Sequence, residues 1–325
     1  MLSFASPLIA LLALLGDRLF GYPPALASRI GHPVEWLGAL IGVLDRSLNR
    51  QGSDKAAGRT QGALALVIAI GLAVAVTVPL SLMLRTVPYG FAVEALLAVA
   101  FLAQRDLARA VAAVADGLDG SLAQGRAAVS HIVGRDPAQL DRSGVVRGAI
   151  ESLAENASDA VVAPALWLAL FGLPGIVVYK IVNTADSMIG YRSARYRHFG
   201  WVAARLDDLL NLPASRLTGA LIVAAATVDG RGGEALNAMW RDAGRHVSPN
   251  AGWPEAAMAG ALGIRLGGPR SYDGRKLDLA WLGSGRKDLT AADIRRALTL
   301  YARMLNLLLM LMAGAAVIAI VAARP

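Results

Sequence analysis

The sequence predicts an all-α, polytopic integral membrane protein. Three observations lead there. Of 325 residues, 55% are hydrophobic and only 17% charged, against about 25% charged in ordinary soluble domains. Uncharged runs of 24 residues (Gln61–Leu84) and 20 residues (Met304–Ala323) match the roughly 20 apolar residues a helix needs to cross the hydrocarbon core. No stretch alternates apolar and polar residues with the period of a strand.

Taken in order, Met1–Gly16 is apolar but short, with no basic leader and no small-residue cleavage site. It reads as a retained first helix and not a signal peptide. Gln61–Leu84 is a crossing. Thr86–Gln104 is long enough to be another, with Glu94 inside it. A charge there is costly in lipid, so Glu94 is expected to face protein. Ala160–Tyr179 is uncharged but broken by Gly172, Pro174 and Gly175, which predicts a re-entrant or buried helical hairpin. Leu217–Val228 is too short to cross unless Leu209–Ser215 joins it through Pro213 and Arg216, and it is expected to be buried without crossing. Gly263–Leu289 is a glycine-rich, charged excursion. Thr290 and Asp293 then have the spacing of a helix-opening capping box, and that helix runs on into Met304–Ala323.

Charge sets the expected orientation. Lysine and arginine number six in each of 17–60, 105–159 and 180–216, and twelve in 229–303. Basic segments mark the cytoplasmic side, so all of these are expected there. The picture is a single membrane-embedded domain over 1–325, with about four crossings, re-entrant or buried helices, and a sizeable cytoplasmic face in the inner membrane.

Composition also excludes chemistry. No cysteine is present, so disulfides and thiolate sites are absent, and four histidines give little material for a multi-histidine metal site. The net charge of +8 fits topology, or attraction to anionic substrates and lipids. Nothing resembles a nucleic-acid platform, so no nucleic acid is expected as a partner.

Four short segments hold most of the polar chemistry. In 147–159, Glu151, Glu155 and Asp159 recur at i, i+4 and i+8, a like-charged stripe with only Arg147 near to neutralise it. A divalent cation would relieve the repulsion, and oxygen-only ligands suit Mg2+. In 180–192, Lys180, Asn183, Asp186, Ser187 and Tyr191 share one helical side at the end of an apolar run, with Arg192 at its edge. In 205–213, Asp207 and Asp208 with Asn211 one turn on offer a second oxygen cluster, beside Arg205. In 246–255, His246, Ser248, Asn250 and Trp253 precede Pro254, which is well placed as the first residue of a helix through Ala261. Each alone also fits a structural role: a solvated face, an interfacial helix end, a helix-terminal aspartate pair, a capped loop.

Taken together, the runs RGAIESLAENASDAVVAPALW (147–167), YKIVNTADSMIGYR (179–192), FGWVAARLDDLLNLPASRLTG (199–219) and HVSPNAGWPEAAMAGALGIRLGGP (246–269) resemble adenosylcobinamide-phosphate synthases of the CobD/CbiB type. The opening GDRLFGYPPALASRIGHPVEWLG (16–38) is similar to that family's amino-terminal region. The resemblance implies a polytopic membrane enzyme of cobalamin biosynthesis. Its reaction joins (R)-1-amino-2-propanol, or its phosphate, to the f side-chain carboxylate of adenosylcobyric acid through an amide bond. It further implies ATP to activate the carboxylate and Mg2+ to spread phosphate charge. Partners would be the corrinoid, aminopropanol phosphate, the lipid bilayer and other corrinoid-pathway enzymes.

That chemistry assigns roles. Glu151, Glu155, Asp186 and His246 are the candidate catalytic residues. Glu155, Asp159, Asp207 and Asp208 are the candidate metal ligands. Lys180, Asn183, Ser187, Tyr191, Arg192, Arg205, Ser248, Asn250 and Trp253 are the candidate substrate-binding residues. No G-x-x-x-x-G-K-[ST] phosphate loop exists, so a nucleotide site would be built otherwise. A membrane transporter, or a non-catalytic membrane sensor of the same fold, stands as the alternative. Glu94 and the broken helix at 172–175 are features that transporters share.

Overall fold

A computed structural model describes residues 6–50, 54–133, 137–191, 193–272, 275–277 and 279–322. The all-α expectation holds. The helices are α1 (Ser6–Leu19), α2 (Pro24–Ile30), α3 (Pro33–Leu48), α4 (Lys55–Leu84) and α5 (Gly90–Val99). Next come α6 (Gln104–Gly120), α7 (Leu122–Val129), α8 (Arg142–Ala157), a π turn (Ser158–Val162) and α9 (Ala163–Ile189). The last are α10 (Trp201–Ala226), α11 (Gly232–Asp242), α12 (Gly252–Leu262) and α13 (Ala291–Ala322). Two small antiparallel pairs interrupt them within the expected excursion: β1 (Leu266–Gly267) with β4 (Trp281–Leu282), and β2 (Arg270–Tyr272) with β3 (Arg275–Leu277). Strands of two or three residues are too short to leave an alternating pattern.

The chain divides into two compact units, each discontinuous in sequence: 1–103, 163–211 and 311–325, and then 104–162 and 212–310. In the first unit, His32 opens α3: its Nδ1 accepts the Val34 N–H (3.3 Å), while Glu35 accepts the His32 N–H (3.0 Å). Asp54 caps α4 through the Ala57 N–H at 2.8 Å. α4 buries Gly58, Gly62, Ala65, Ala69 and Ala73, while Leu64, Val67, Leu72 and Val76 point outward. That is the pattern of a helix in lipid, where small residues permit close approach and large ones face hydrocarbon. At Gly62 a Cβ would lie 1.8 Å from the Phe199 carbonyl oxygen, so only glycine fits.

Among the described residues, four helical runs are long and apolar enough to cross a membrane: Lys55–Leu84, Arg142–Ile189, Trp201–Asp229 and Ala291–Ala322. A fifth arises only if Ser6–Leu19 and Pro24–Leu48, bent by 100°, count as one. Two expectations are thereby corrected. Thr86–Gln104 is not a crossing. α5 has 10 residues, about 15 Å at the helical rise and half the hydrocarbon thickness, because a tight turn precedes it. A Cβ on Gly90 would lie 1.7 Å from the Leu84 carbonyl oxygen, and Tyr89 takes a left-handed φ of 60°. Leu217–Val228 does not stand alone. α10 runs unbroken through Pro213 and joins it to Leu209–Ser215. Likewise α1 alone, at 14 residues, is too short to cross.

The hairpin expected at 172–175 is present. Gly172 has φ 67° and ψ −157°, outside the helical region. A Cβ on Gly175 would lie 2.3 Å from the Trp167 carbonyl oxygen and 2.7 Å from the Phe171 Cβ. Residues eight apart in a straight helix stand about 12 Å apart, so the chain doubles back here. Glu94, 1% exposed, seats the reversal. Its Oε1 accepts the Leu173 N–H (2.9 Å) and the Ser81 hydroxyl (3.0 Å). The expectation that Glu94 faces protein holds.

In the second unit, α6, α7 and α8 pack together, as do α11 and α12, with α12 also against α8. Asp141 caps α8 through the Gly144 N–H at 2.6 Å. Asp293 accepts the Thr290 N–H at 2.9 Å, so the expected capping residues do open α13.

Candidate functional site

The first unit gathers the 180–191 and 205–211 segments. Asp207, 8% exposed, accepts from Asn183 Nδ2 (3.3 Å) and from Asn211 Nδ2 (3.0 Å). Asn211 in turn accepts the Tyr179 hydroxyl at 2.9 Å. Lys180, buried on the same side of α9 as Asn183, attracts the Asp207 carboxylate. A buried charge in an apolar run is held this way, by a countercharge and by donors to its oxygens. Asn211 stands one turn after Asp207 and is legible by that spacing. Tyr179 carried no signal beyond its place at the end of the apolar run.

The adjacent aspartates do not converge. Consecutive helical residues are about 100° apart, so Asp207 turns inward while Asp208 pairs with Arg205 at 3.4 Å. Asp186 folds back along its own helix toward Gly190, where an added Cβ would lie 2.0 Å from its Oδ1. Ser187 and Tyr191 are exposed, Ser187 donating to the Asn183 carbonyl at 2.9 Å. Arg192 lies outside the described residues. One anchor of this region was missed. Asp45 of α3, 7% exposed, binds Arg195 (2.6 Å), Tyr196 (3.3 Å) and Asn49 (2.8 Å). It thereby ties down the basic loop after α9. The hydrogen bond from Arg195 to Asp45 and their attraction raise the arginine's pKa above its ordinary range.

The second unit holds the other two segments. The carboxylate stripe separates by environment. Glu151, 5% exposed, accepts the Gly267 N–H at 2.6 Å, so α8 is tied to β1. Arg147 lies over the Trp281 ring at 4.8 Å, under β4. Glu155 is exposed. Asp159, half-buried, lies in the π turn, whose wider coil carries it off the line of a regular helix. Among the described residues, no three Asp, Glu or His side chains form a metal-holding group. Mg2+ commonly takes only one or two carboxylates, with phosphates and water completing its shell. Glu155 and Asp159, one turn apart with oxygen donors only, fit that role.

The 246–255 loop is built around two contacts. His246 Nδ1 accepts the Ser248 N–H at 3.0 Å, and its Nε2 lies 3.7 Å from buried Glu255. In the tautomer whose Nδ1 accepts this bond, Nε2 carries the ring proton and faces Glu255. Ser248 Oγ accepts the Asn250 and Ala251 N–H groups, both at 3.2 Å. Asn250 Oδ1 accepts from Ser215 Oγ (3.1 Å) and Arg216 Nη1 (2.9 Å). Arg216 stacks on Trp253 at 4.7 Å, and Trp253 meets Trp240 edge to face at 5.2 Å. Sequence reasoning missed Ser215, Arg216, Trp240 and Glu255 as parts of this constellation. Only Glu255 lay within the 246–255 segment, and the rest come from turns distant in sequence. α12 begins at Gly252, so Pro254 is its third residue and not, as expected, its first.

Helices long enough to cross a membrane, a seated helical hairpin and dense polar clusters define a polytopic membrane protein with buried polar groups. A family model described as CobD/Cbib protein matches residues 10–301. The chain is 51% identical over 303 residues to a cobalamin biosynthesis protein CobD of Sinorhizobium fredii, covering 91% of this chain and 92% of that protein. It is 47% identical to one of Rhodobacter capsulatus (93% and 94% covered) and 46% identical to one of Brucella suis (94% and 96% covered). No solved structure matches the chain. The chain belongs to the CobD/CbiB family.

Proposed function

We propose that this protein acts in cobalamin biosynthesis. In the proposed reaction it joins (R)-1-amino-2-propanol, or its phosphate, to the f side-chain carboxylate of adenosylcobyric acid, using ATP. The observation that carries the reading is the match to the CobD/CbiB family across residues 10–301, reinforced by relatives named as cobalamin biosynthesis proteins.

The chemistry needs a leaving group on the carboxylate and a neutral amine. Phosphoryl transfer from ATP gives an acyl phosphate. The amine nitrogen then attacks the acyl carbon, phosphate leaves, and one proton is lost from nitrogen. Glu155, exposed and close to the start of the π turn, is the residue we assign to take that proton. Glu155 and Asp159 would hold Mg2+, which supplies charge neutralisation at the phosphates. Lys180, Asn183 and Asp207 form a preorganised polar wall. Arg192 and Arg205 supply cations for phosphate. His246 holds the 246–251 turn, and the Trp253 face beside Arg216 offers apolar area to a corrin ring. The basic residues of 180–216 support a cytoplasmic position for that segment in the inner membrane.

Purified protein incubated with adenosylcobyric acid, aminopropanol phosphate, Mg2+ and ATP should yield the amide, with ADP and phosphate, read by mass spectrometry. Absence of amide, with the protein folded and all four components present, would overturn the assignment. It would leave transport or sensing to be tested.

A further inference from the structure

Arg231, Glu234, Asn237 and Arg241 carry polar groups that the site above does not use. In the second unit they line a cleft of about 410 Å3, within the size range of small-molecule sites. Its walls include Arg231, Asn237 and Arg241 and the backbone of Gly263, Ser284 and Gly285; Glu234 also faces it.

Both guanidinium groups are held from behind. Arg231 donates Nε to the Ala261 carbonyl (2.7 Å) and Nη2 to the Gly260 carbonyl (3.2 Å), in the last turn of α12. Arg241 donates Nε (2.9 Å) and Nη2 (2.6 Å) to Asp242, which is 1% exposed. A guanidinium has five N–H donors in a fixed fork, so each arginine keeps donors for a ligand. Rigid arginines lose little entropy on binding and match phosphate geometry.

The charges do not cancel. Arg231 faces neutral carbonyls and, among the described residues, makes no ion pair. Asp242 is taken up by Arg241, by Arg245 at 3.3 Å and by the Gly283 N–H at 2.8 Å. Of the charged residues that line the cleft, two arginines therefore stand against Glu234. The Gly283–Gly285 loop adds a wall made of backbone. Gly283 has φ 80°, and a Cβ on Gly285 would lie 1.9 Å from the Gly263 carbonyl oxygen.

We propose that this cleft is a binding site for a phosphate-bearing ligand, a phosphate monoester or a polyphosphate, gripped by Arg231 and Arg241. The inference rests on the proposed ligation only for the choice of probes. A nucleotide and aminopropanol phosphate share the required chemistry.

Arg231 and Arg241 also hold structure, so the test leaves both in place and adds a carboxylate at an exposed lining position, Asn237→Glu or Ser284→Glu. Full-length protein in lipid nanodiscs would be titrated calorimetrically with Mg-ATP, aminopropanol phosphate and unphosphorylated aminopropanol. The expected result is at least a tenfold rise in Kd for a phosphate-bearing probe in both variants, with thermal unfolding unchanged. Unphosphorylated aminopropanol should respond to neither change. A response confined to Mg-ATP supports the site with a nucleotide as occupant; one confined to aminopropanol phosphate supports it with the amine substrate. Parent-like binding of every probe by both variants overturns the proposal, as does a parent that binds neither phosphate compound. Because binding is read without turnover, a failed amide assay and a failed cleft are separate results.

Discussion

The Glu94 carboxyl accepts the Leu173 amide N–H at 2.9 Å, one residue beyond the point where the chain reverses at Gly172. The amide opens the outgoing half of α9, and the second donor to Glu94 Oε1 is Ser81 of α4. One side chain thus ties a helical hairpin to the helix pair beside it. Glu94→Leu leaves a buried N–H and a buried hydroxyl without their acceptor, at about 1–3 kcal/mol for such a group. Thermal unfolding in detergent should show a clear loss for the leucine variant. Glu94→Gln retains an acceptor oxygen and should lose less. A leucine variant as stable as the parent would remove this contact from the account of the hairpin.

Gly172 should resist any side chain. Its backbone lies near a region that only glycine occupies readily, and a Cβ would stand 3.0 Å from Glu94 Oε1. Gly172→Ala is expected to cost about 1–3 kcal/mol. Gly71, where a Cβ meets nothing within 4 Å, is the control: Gly71→Ala should match the parent or exceed it in the same unfolding assay.

Glu155 and His246 should separate by substitution. Glu155→Gln keeps the fold but removes the proposed proton acceptor, so turnover should fall about 100-fold or more. His246→Asn offers an acceptor near the position of Nδ1 for the Ser248 N–H and should retain much of the activity that His246→Ala loses. Near-normal turnover by Glu155→Gln would return that residue to a solvated face. Equal losses in the two His246 variants would mean that the ring itself takes part in proton transfer.

Asp242 makes stability depend on acid. Burial alone would raise its pKa, but the hydrogen bonds from Arg241 and Gly283, with the attraction of Arg241 and Arg245, outweigh burial and hold it below the ordinary 3.8. A carboxylate whose folded pKa is depressed contributes fully above the unfolded value. The contribution fades as pH falls from there through the folded one. Asp242→Asn should therefore be less stable than the parent at neutral pH, by about 1–3 kcal/mol for hydrogen bonds to a charged group, since the arginines left behind are half exposed. The gap should narrow below about pH 4, measured as the difference in Tm between the two proteins. A gap that stays constant down to pH 3 would contradict the ion-pair account.

Orientation is testable because the chain has no cysteine. The six basic residues of 180–216 predict that Ser193 lies on the cytoplasmic side. Ser193→Cys should resist a membrane-impermeant thiol reagent in intact cells and react once the membrane is opened. Ready labelling of intact cells would reverse the topology.

Much of the architecture was legible in the sequence because its causes are local. Gln61–Leu84 had to be a long helix in lipid. Gly172, Pro174 and Gly175 had to break Ala160–Tyr179, and Thr290 with Asp293 had to open the last helix. A charge inside an apolar run had to find a partner, which predicted that Glu94 faces protein. The polar segments also announced themselves, since charged and amide side chains are rare where composition is this apolar. What spacing could not supply was the partner of each group. Asp207 and Asp208 are neighbours in sequence, yet helical geometry turns one toward Asn183 and Asn211 and the other toward Arg205. Glu151 and Glu155 look equivalent along the stripe until β1 covers the first and leaves the second exposed. The start of α5 was set by how closely Gly90 approaches Leu84, not by hydrophobicity. Apolar character and helical period are properties of a segment, so the sequence determined them. Burial, register and the identity of a hydrogen-bond partner depend on atoms far along the chain, and only tertiary packing brought those together.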